Sequence, residues 1–228
     1  MEYMRKRIAD HMRTSLDTAA HVYVMTEVDM TDIVNYVSHN EISFLDKESF
    51  KLTYTPFIVN AVVKAIIQFP LMNSSLEGND IIHKKNINIG IAVSLDNGLM
   101  VPVIEKCEEV NFLGLCRRVN DLTIRARSKN LRPDELQGST FSISNFGVFN
   151  VTMGTPIINQ PNVGILGVGA IKKQPVVIES DLGDTIGIRS RMILSLGFDH
   201  RLIDGAGGSQ FIEKIRLEIE NMDLMDLF

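Results

Sequence analysis

The segment Ser195 to Gly208, reading SLGFDHRLIDGAGG, brings together residue types whose spacing suits proton transfer. An apolar stretch runs into Asp199-His200, three residues pass, and Asp204-Gly205 opens a glycine-rich turn ahead of a closing helical pattern. This spacing puts an imidazole at the end of a strand, where the scaffold is rigid. It puts a carboxylate one turn later near a helix N-terminus, where negative charge is favoured. A histidine with a pKa of about 6.5 is mostly neutral at pH 7 and can act as a general base. Spacing alone leaves two other readings: a structural His–Asp contact, and a two-ligand metal site that lacks a third ligand nearby.

Other patterns carry less. Gly164-x-x-Gly167-x-Gly169 has its glycines in the wrong order for a dinucleotide loop, which needs G-x-G-x-x-G before a helix. Glycines thinning a strand where another backbone passes close is the better reading. Asp46-Lys47 is similar to the Asp-Lys pair at the tip of a lipoyl-carrying hairpin. That module is a separate all-β domain for which the neighbouring residues leave no room, so a surface loop is expected there. Cys107 and Cys116 have no partner cysteine or histidine at ligand spacing, and neither metal binding nor catalysis is expected of them.

The elements that must position these residues can be read from periodicity. Ile8, Met12, Leu16 and Ala19 recur at helical spacing within the charged stretch Arg5 to Thr18. His21 to Met30 alternates as a strand with Val22, Val24 and Val28 on one side. Thr31 or Asp32 is placed to cap a short helix carrying Ile33, Val34 and Val37. Thr55-Pro56 opens a helix, Phe57 to Phe69, that is apolar nearly all round and should be buried. Asn88 to Ser94, the turn Asp96-Asn97-Gly98 and Leu99 to Ile104 read as a hairpin. Helical spacing returns over Asn111 to Asn130. Strands are expected at Ser139 to Asn145, Val163 to Ile171, Val176 to Glu179 and Gly187 to Gly197, and an amphipathic helix over Gly207 to Met222. Strands and helices without a strict βαβ rhythm predict an α/β or α+β sandwich, a mixed sheet covered by helices.

Composition bounds the class. The 228 residues are 45% apolar and 22% charged with a net charge of −5, a soluble globular balance that argues against disorder, collagen and a membrane-spanning chain. A mildly acidic chain without a basic run gives no footprint for nucleic acid. Two cysteines and no secretory signal make a reducing cytoplasm the expected location. With no linker, low-complexity tract or repeat, the sequence reads as a single domain, 1–228.

The segment FDHRLIDGAGG resembles the DHRxxDG signature of the catalytic domain of dihydrolipoamide acyltransferases, the core component of 2-oxo acid dehydrogenase complexes. Further matching segments run in order along the chain: MRKRIADHM, KLTYTPFIVNAVVKA, NIGIAVSLDNGLMVPVI, STFSISNFGVF and GTPIINQPNVGILGVGAI. The resemblance implies a chloramphenicol acetyltransferase-like fold and an active site in a channel between threefold-related subunits. It implies that His200 is the general base, that Asp204 is the signature's acidic residue, and that Ser144 is the hydroxyl stabilising the oxyanion. Asn145, Thr53 and Gly169 fall where similar proteins line the coenzyme A site. One departure is Val37, at a position where related sequences often carry an arginine, so the coenzyme A phosphates are contacted differently here.

The activity so implied is acyl transfer between a lipoyl group, carried on a separate domain, and coenzyme A, without a covalent acyl-enzyme or a metal. Implied partners are the lipoyl domain, the 2-oxo acid dehydrogenase and dihydrolipoamide dehydrogenase components, and further copies forming trimers and then a 24-mer or 60-mer. The final segment MDLMDLF is expected either to plug into a neighbour or to pack locally. Lipoyl and subunit-binding modules usually precede this domain in the family, so Met1-Glu2-Tyr3 is expected to open a shortened chain. Two alternatives compete. An antibiotic O-acetyltransferase or condensation domain would carry HHxxxDG, whereas Asp199 precedes His200 here. An inactive docking core would not need His200, Asp204 and Ser144 intact. The acyl group itself, whether acetyl, succinyl or branched-chain, is left open.

Overall fold

The computed structural model describes residues 3–95, 98–181, 183–225 and 227. The chain opens with α1 (Tyr3–Thr18), β1 (His21–Asp29), α2 (Thr31–Glu48) and α3 (Thr55–Gln68), followed by a small hairpin of β2 (Ser74–Glu77) and β3 (Asp80–His83). Next come β4 (Ile89–Leu95), β5 (Gly98–Met100), β6 (Val103–Ile104) and α4 (Phe112–Arg127). The last part holds β7 (Phe141–Asn145), β8 (Gly164–Val168), β9 (Lys172–Ile178), β10 (Thr185–Asp199) and α5 (Gly205–Glu220).

The main sheet has the order β1-β10-β8-β7-β4-β5, with β6 paired to β4 and β9 to β10. It is mixed, as expected: β4, β7 and β8 run parallel, and the other neighbours are antiparallel. Strand alternation gives the sheet two unlike faces. Ile91, Ile143, Leu166, Leu196 and Val24 occupy partner positions on one face and join the core, beneath α3 and α5. The other face carries Ala92, Ser144, Gly167 and Ser195 along a single row.

Small residues fit that second face because irregular chain lies directly on it. The Ser195 hydroxyl donates to the Gly154 carbonyl (2.5 Å) and the Tyr23 hydroxyl to the Pro156 carbonyl (3.0 Å). A Cβ on Gly169 would stand 1.9 Å from the Thr152 carbonyl oxygen. The glycines at 167 and 169 thus serve close packing, as their order predicts.

Some expected boundaries shift. The helix after Thr31 is long rather than short, and neither Thr31 nor Asp32 caps it. The Asp29 carboxylate does so from the strand end, accepting from the Thr31 N–H (2.9 Å) and hydroxyl. Asp46-Lys47 is therefore in the last turn of α2, exposed but not a loop. On α1 the buried position is Ser15, whose hydroxyl donates to the Ile158 carbonyl (2.6 Å), and Leu16 points outward. The expected hairpin forms with Leu95 opposite Gly98, while Asp96 and Asn97 lie outside the described residues. In the final segment Met222, Leu224 and Leu227 pack on the chain's own core and Met225 is exposed; Asp226 and Phe228 lie outside the described residues.

Candidate active site

The turn between β10 and α5 is built around Asp199, buried at the strand end. Its carboxylate accepts from the Arg201 guanidinium (2.6–3.0 Å) and from the backbone N–H groups of Arg201 (3.1 Å) and Ala20 (3.1 Å). Burial pushes its pKa up, but the Arg201 guanidinium and the two N–H donors outweigh burial, and the carboxyl is held below its usual range. A carboxyl lowered on folding stabilises the fold above its unfolded value of about 3.9 and loses that contribution as pH falls through the folded one. Arg201→Ala leaves the buried carboxylate without its ion partner, so its pKa rises and acid unfolding moves to higher pH. Circular dichroism during acid titration checks this, and coincident midpoints for variant and parent contradict it.

The same clamp fixes His200. Its backbone N–H donates to the Ala20 carbonyl (2.8 Å), while Ala20 in turn donates to Asp199. The imidazole is exposed and stacked on Phe198, with centroids 6.0 Å apart and planes at 28°. Among the described residues nothing hydrogen-bonds the ring, so its basic nitrogen is open to a ligand. Asp204 does not reach the imidazole. It is the N-cap of α5, its Oδ1 accepting from the Gly207 N–H (2.7 Å), which fixes where the turn ends and the helix begins. Asp204→Ala should cost about 0.5–2 kcal/mol of stability and Asp204→Asn much less, because an amide oxygen still caps. Equal losses in thermal melts of the two variants would contradict a capping role.

Ser144, Asn145 and Gly169 lie together, but not with His200. Ser144 and Asn145 end β7; Asn145 is opposite Val168, the residue before Gly169. The Asn145 Oδ1 is buried without a hydrogen-bond partner among the described residues, an unfilled acceptor that a ligand donor would satisfy. Ser144 is in register with Gly167, and Gly167 with Ser195, five residues before His200. Two strand spacings of about 5 Å and five residues of about 3.3 Å put His200 roughly 19 Å from Ser144 within one chain. Thr53 is exposed just ahead of α3, and no hydrogen bond joins it to Asn145 or Gly169 among the described residues. Val37 is buried in the core, so no phosphate contact is made from that position.

Neither cysteine is a ready nucleophile: both are buried and free. Burial pushes the Cys107 thiol up to about 11 and that of Cys116 up to about 12, so both are protonated at neutral pH. The residues that sequence reasoning missed are Asp199 and Arg201 as a clamp. Their i, i+2 pairing around His200 was visible, but the third member, Ala20, is 179 residues away.

A family model described as 2-oxoacid dehydrogenases acyltransferase (catalytic domain) matches residues 1–227. Over 96% of its length the chain is 38% identical to the lipoamide acyltransferase component of the branched-chain alpha-keto acid dehydrogenase complex of Bacillus subtilis, covering 51% of that protein. It is 37% identical over 97% of its length to the succinyltransferase component of the 2-oxoglutarate dehydrogenase complex of Rickettsia typhi, covering 54% of it. With the acetyltransferase component of the pyruvate dehydrogenase complex of Mycobacterium bovis it shares 38% identity over 95% of the chain and 40% of that protein. The chain thus spans about half the length of the curated relatives it matches.

Solved structures agree. A probable dihydrolipoamide acetyltransferase of Listeria monocytogenes superposes with a TM-score of 0.95 at 35% identity, covering 100% of this chain and 97% of that one. The cubic core of the pyruvate dehydrogenase multienzyme complex gives 0.90 at 33%, covering 97% and 90%. The Azotobacter vinelandii dihydrolipoamide acetyltransferase gives 0.88 at 33%, covering 95% and 88%; a serine, a histidine and an asparagine four residues beyond that histidine were investigated for roles in its catalytic mechanism. Chloramphenicol acetyltransferase, at 13% identity and a TM-score of 0.57 over 92% of this chain and 94% of that one, shares the fold. With a family model covering nearly every residue and relatives well above 30% identity, the chain belongs to the 2-oxo acid dehydrogenase acyltransferase family, as its catalytic domain.

Proposed function

We propose that this chain transfers an acyl group between dihydrolipoamide, carried on a lipoyl module, and coenzyme A, as the core of a 2-oxo acid dehydrogenase complex. The observation that carries the reading is His200: exposed, without a ring hydrogen bond among the described residues, and fixed through its own backbone by the Asp199–Arg201–Ala20 clamp. His200 takes the proton of the coenzyme A thiol, and the thiolate attacks the acyl carbonyl. The oxyanion accepts a hydrogen bond from Ser144, and the imidazolium returns its proton to the leaving dihydrolipoamide sulfur. Asp204 acts by position. The Azotobacter relative investigated with an asparagine four residues past its histidine supports this, since an amide can cap a helix but does not relay a proton.

Ser144 and His200 are too far apart to serve one carbonyl within one chain, so each site takes His200 from one copy and Ser144 from another. The exposed run Val148, Phe149, Val151 and Met153, directly after the Ser144 strand, supports a covering copy. We read the assembly as trimers building a 24-mer or 60-mer. The lipoyl domain and the 2-oxo acid dehydrogenase and dihydrolipoamide dehydrogenase components are its partners. Asn145, with its unfilled acceptor, lines the coenzyme A path together with Gly169 and Thr53. The two buried, unbridged cysteines suit a cytoplasmic location. Transfer from acetyl-, succinyl- or isobutyryl-coenzyme A to dihydrolipoamide tests the activity and ranks the acyl groups. Absence of transfer from all three by the assembled protein would overturn it.

A further inference from the structure

The site so described leaves one aromatic side chain unused. Phe146 follows Asn145 at the end of β7, and its N–H donates to the Val168 carbonyl (2.9 Å), tying it to the neighbouring strand. The Cε2–Cζ edge of its ring fills space that two glycines leave open. A Cβ on Gly167 would meet that edge at 2.8–3.0 Å, and a Cβ on Gly154 at 3.0–3.1 Å. The ring is wedged between them, and any larger residue at either glycine would displace it.

Gly167 stands in the row that holds Ser144 on one side and Ser195 on the other, on the sheet face away from the helices. Of these two hydroxyls, that of Ser195 is engaged with the Gly154 carbonyl. The Ser144 hydroxyl has no partner among the described residues. One strand spacing separates Ser144 from Gly167, and the ring edge is in contact range of Gly167, so it lies within about 8 Å of the free hydroxyl. An oxyanion held by Ser144 sits about 3 Å from its Oγ. The carbons attached to that carbonyl then extend into the range the Phe146 ring occupies.

We propose that Phe146 is the wall that limits the size of the acyl group this chain transfers, a role that rests on Ser144 acting as the oxyanion donor. The ring is apolar, half-buried and immobilised, which suits contact with a short hydrocarbon chain. Shortening it opens room on the Ser144 row and admits branched acyl groups.

The test compares kcat/KM for transfer from acetyl- and isobutyryl-coenzyme A to dihydrolipoamide in the assembled protein and in Phe146→Ala and Phe146→Leu. The isobutyryl-to-acetyl ratio is expected to rise at least about tenfold in Phe146→Ala, and by a smaller factor in Phe146→Leu. A merely structural ring would depress both substrates together and leave the ratio where it was; that result overturns the proposal. Should Phe146→Ala fail to fold, Phe146→Leu keeps an apolar filling between the two glycines and decides by the same ratio. Transfer at an unchanged ratio removes the wall but leaves the acyltransferase reading standing, whereas no transfer by the parent protein removes both.

Discussion

His200→Ala lowers turnover by at least about 10²-fold, while the variant assembles and melts like the parent. On the proposed mechanism the substitution deletes the group that takes the thiol proton, and at neutral pH a thiol with a pKa of about 8.5 supplies little thiolate unaided. The fold does not lean on the ring. His200 is tied in place by its backbone N–H to Ala20, and its exposed imidazole only stacks on Phe198. Stability therefore rests on Asp199, Arg201 and Asp204, which the substitution leaves intact. Rates of acyl transfer and a thermal melt, measured on the same preparation, check both halves. Near-parental turnover by His200→Ala would remove the general base from the account.

Ser144→Ala is expected to lower kcat by about 10²–10³-fold with little change in KM. The hydroxyl has no internal partner among the described residues, so its removal leaves no orphaned group in the fold, and Ala92 already occupies the neighbouring position in the row. On the proposed mechanism its hydrogen bond goes to charge that develops only as the carbonyl becomes tetrahedral. A loss confined to KM would instead mean that Ser144 holds the ground state.

What could be read ahead of the structure follows from where the determining contacts lie. The buried helix α3 was legible because Thr55-Pro56 starts it and its apolar residues leave only the narrow stripe Asn60, Lys64 and Gln68 polar. The length of α2 was not. Beyond Val37 its buried residue is Phe44, too sparse a pattern to extend a helix from periodicity, and its cap comes from Asp29 in the preceding strand. The turn at His200 and the cap at Asp204 were legible because they are consecutive in the chain. The clamp needs Ala20 from the far end of the chain, and no local pattern announces that. The separation of Ser144 from His200 depends on β8 lying between β7 and β10, a fact of strand order and register rather than of either segment. The expectation that another backbone passes close to the glycines at 164, 167 and 169 holds at Gly169, against the Thr152 carbonyl; at Gly164 and Gly167 side chains fill the space, and the ring at Gly167 comes from Phe146, twenty-one residues earlier.

The central claim is that each catalytic site takes its base from one copy and its oxyanion donor from another. Co-expression of His200→Ala and Ser144→Ala chains tests it most directly, because mixed assemblies contain interfaces where an intact His200 meets an intact Ser144. With random mixing in closed cyclic assemblies, roughly one quarter of the sites are whole. The co-expressed protein is predicted to recover about that fraction of parental transfer activity, far above either variant alone. Activity no greater than that of the two variants assayed separately would contradict the shared site.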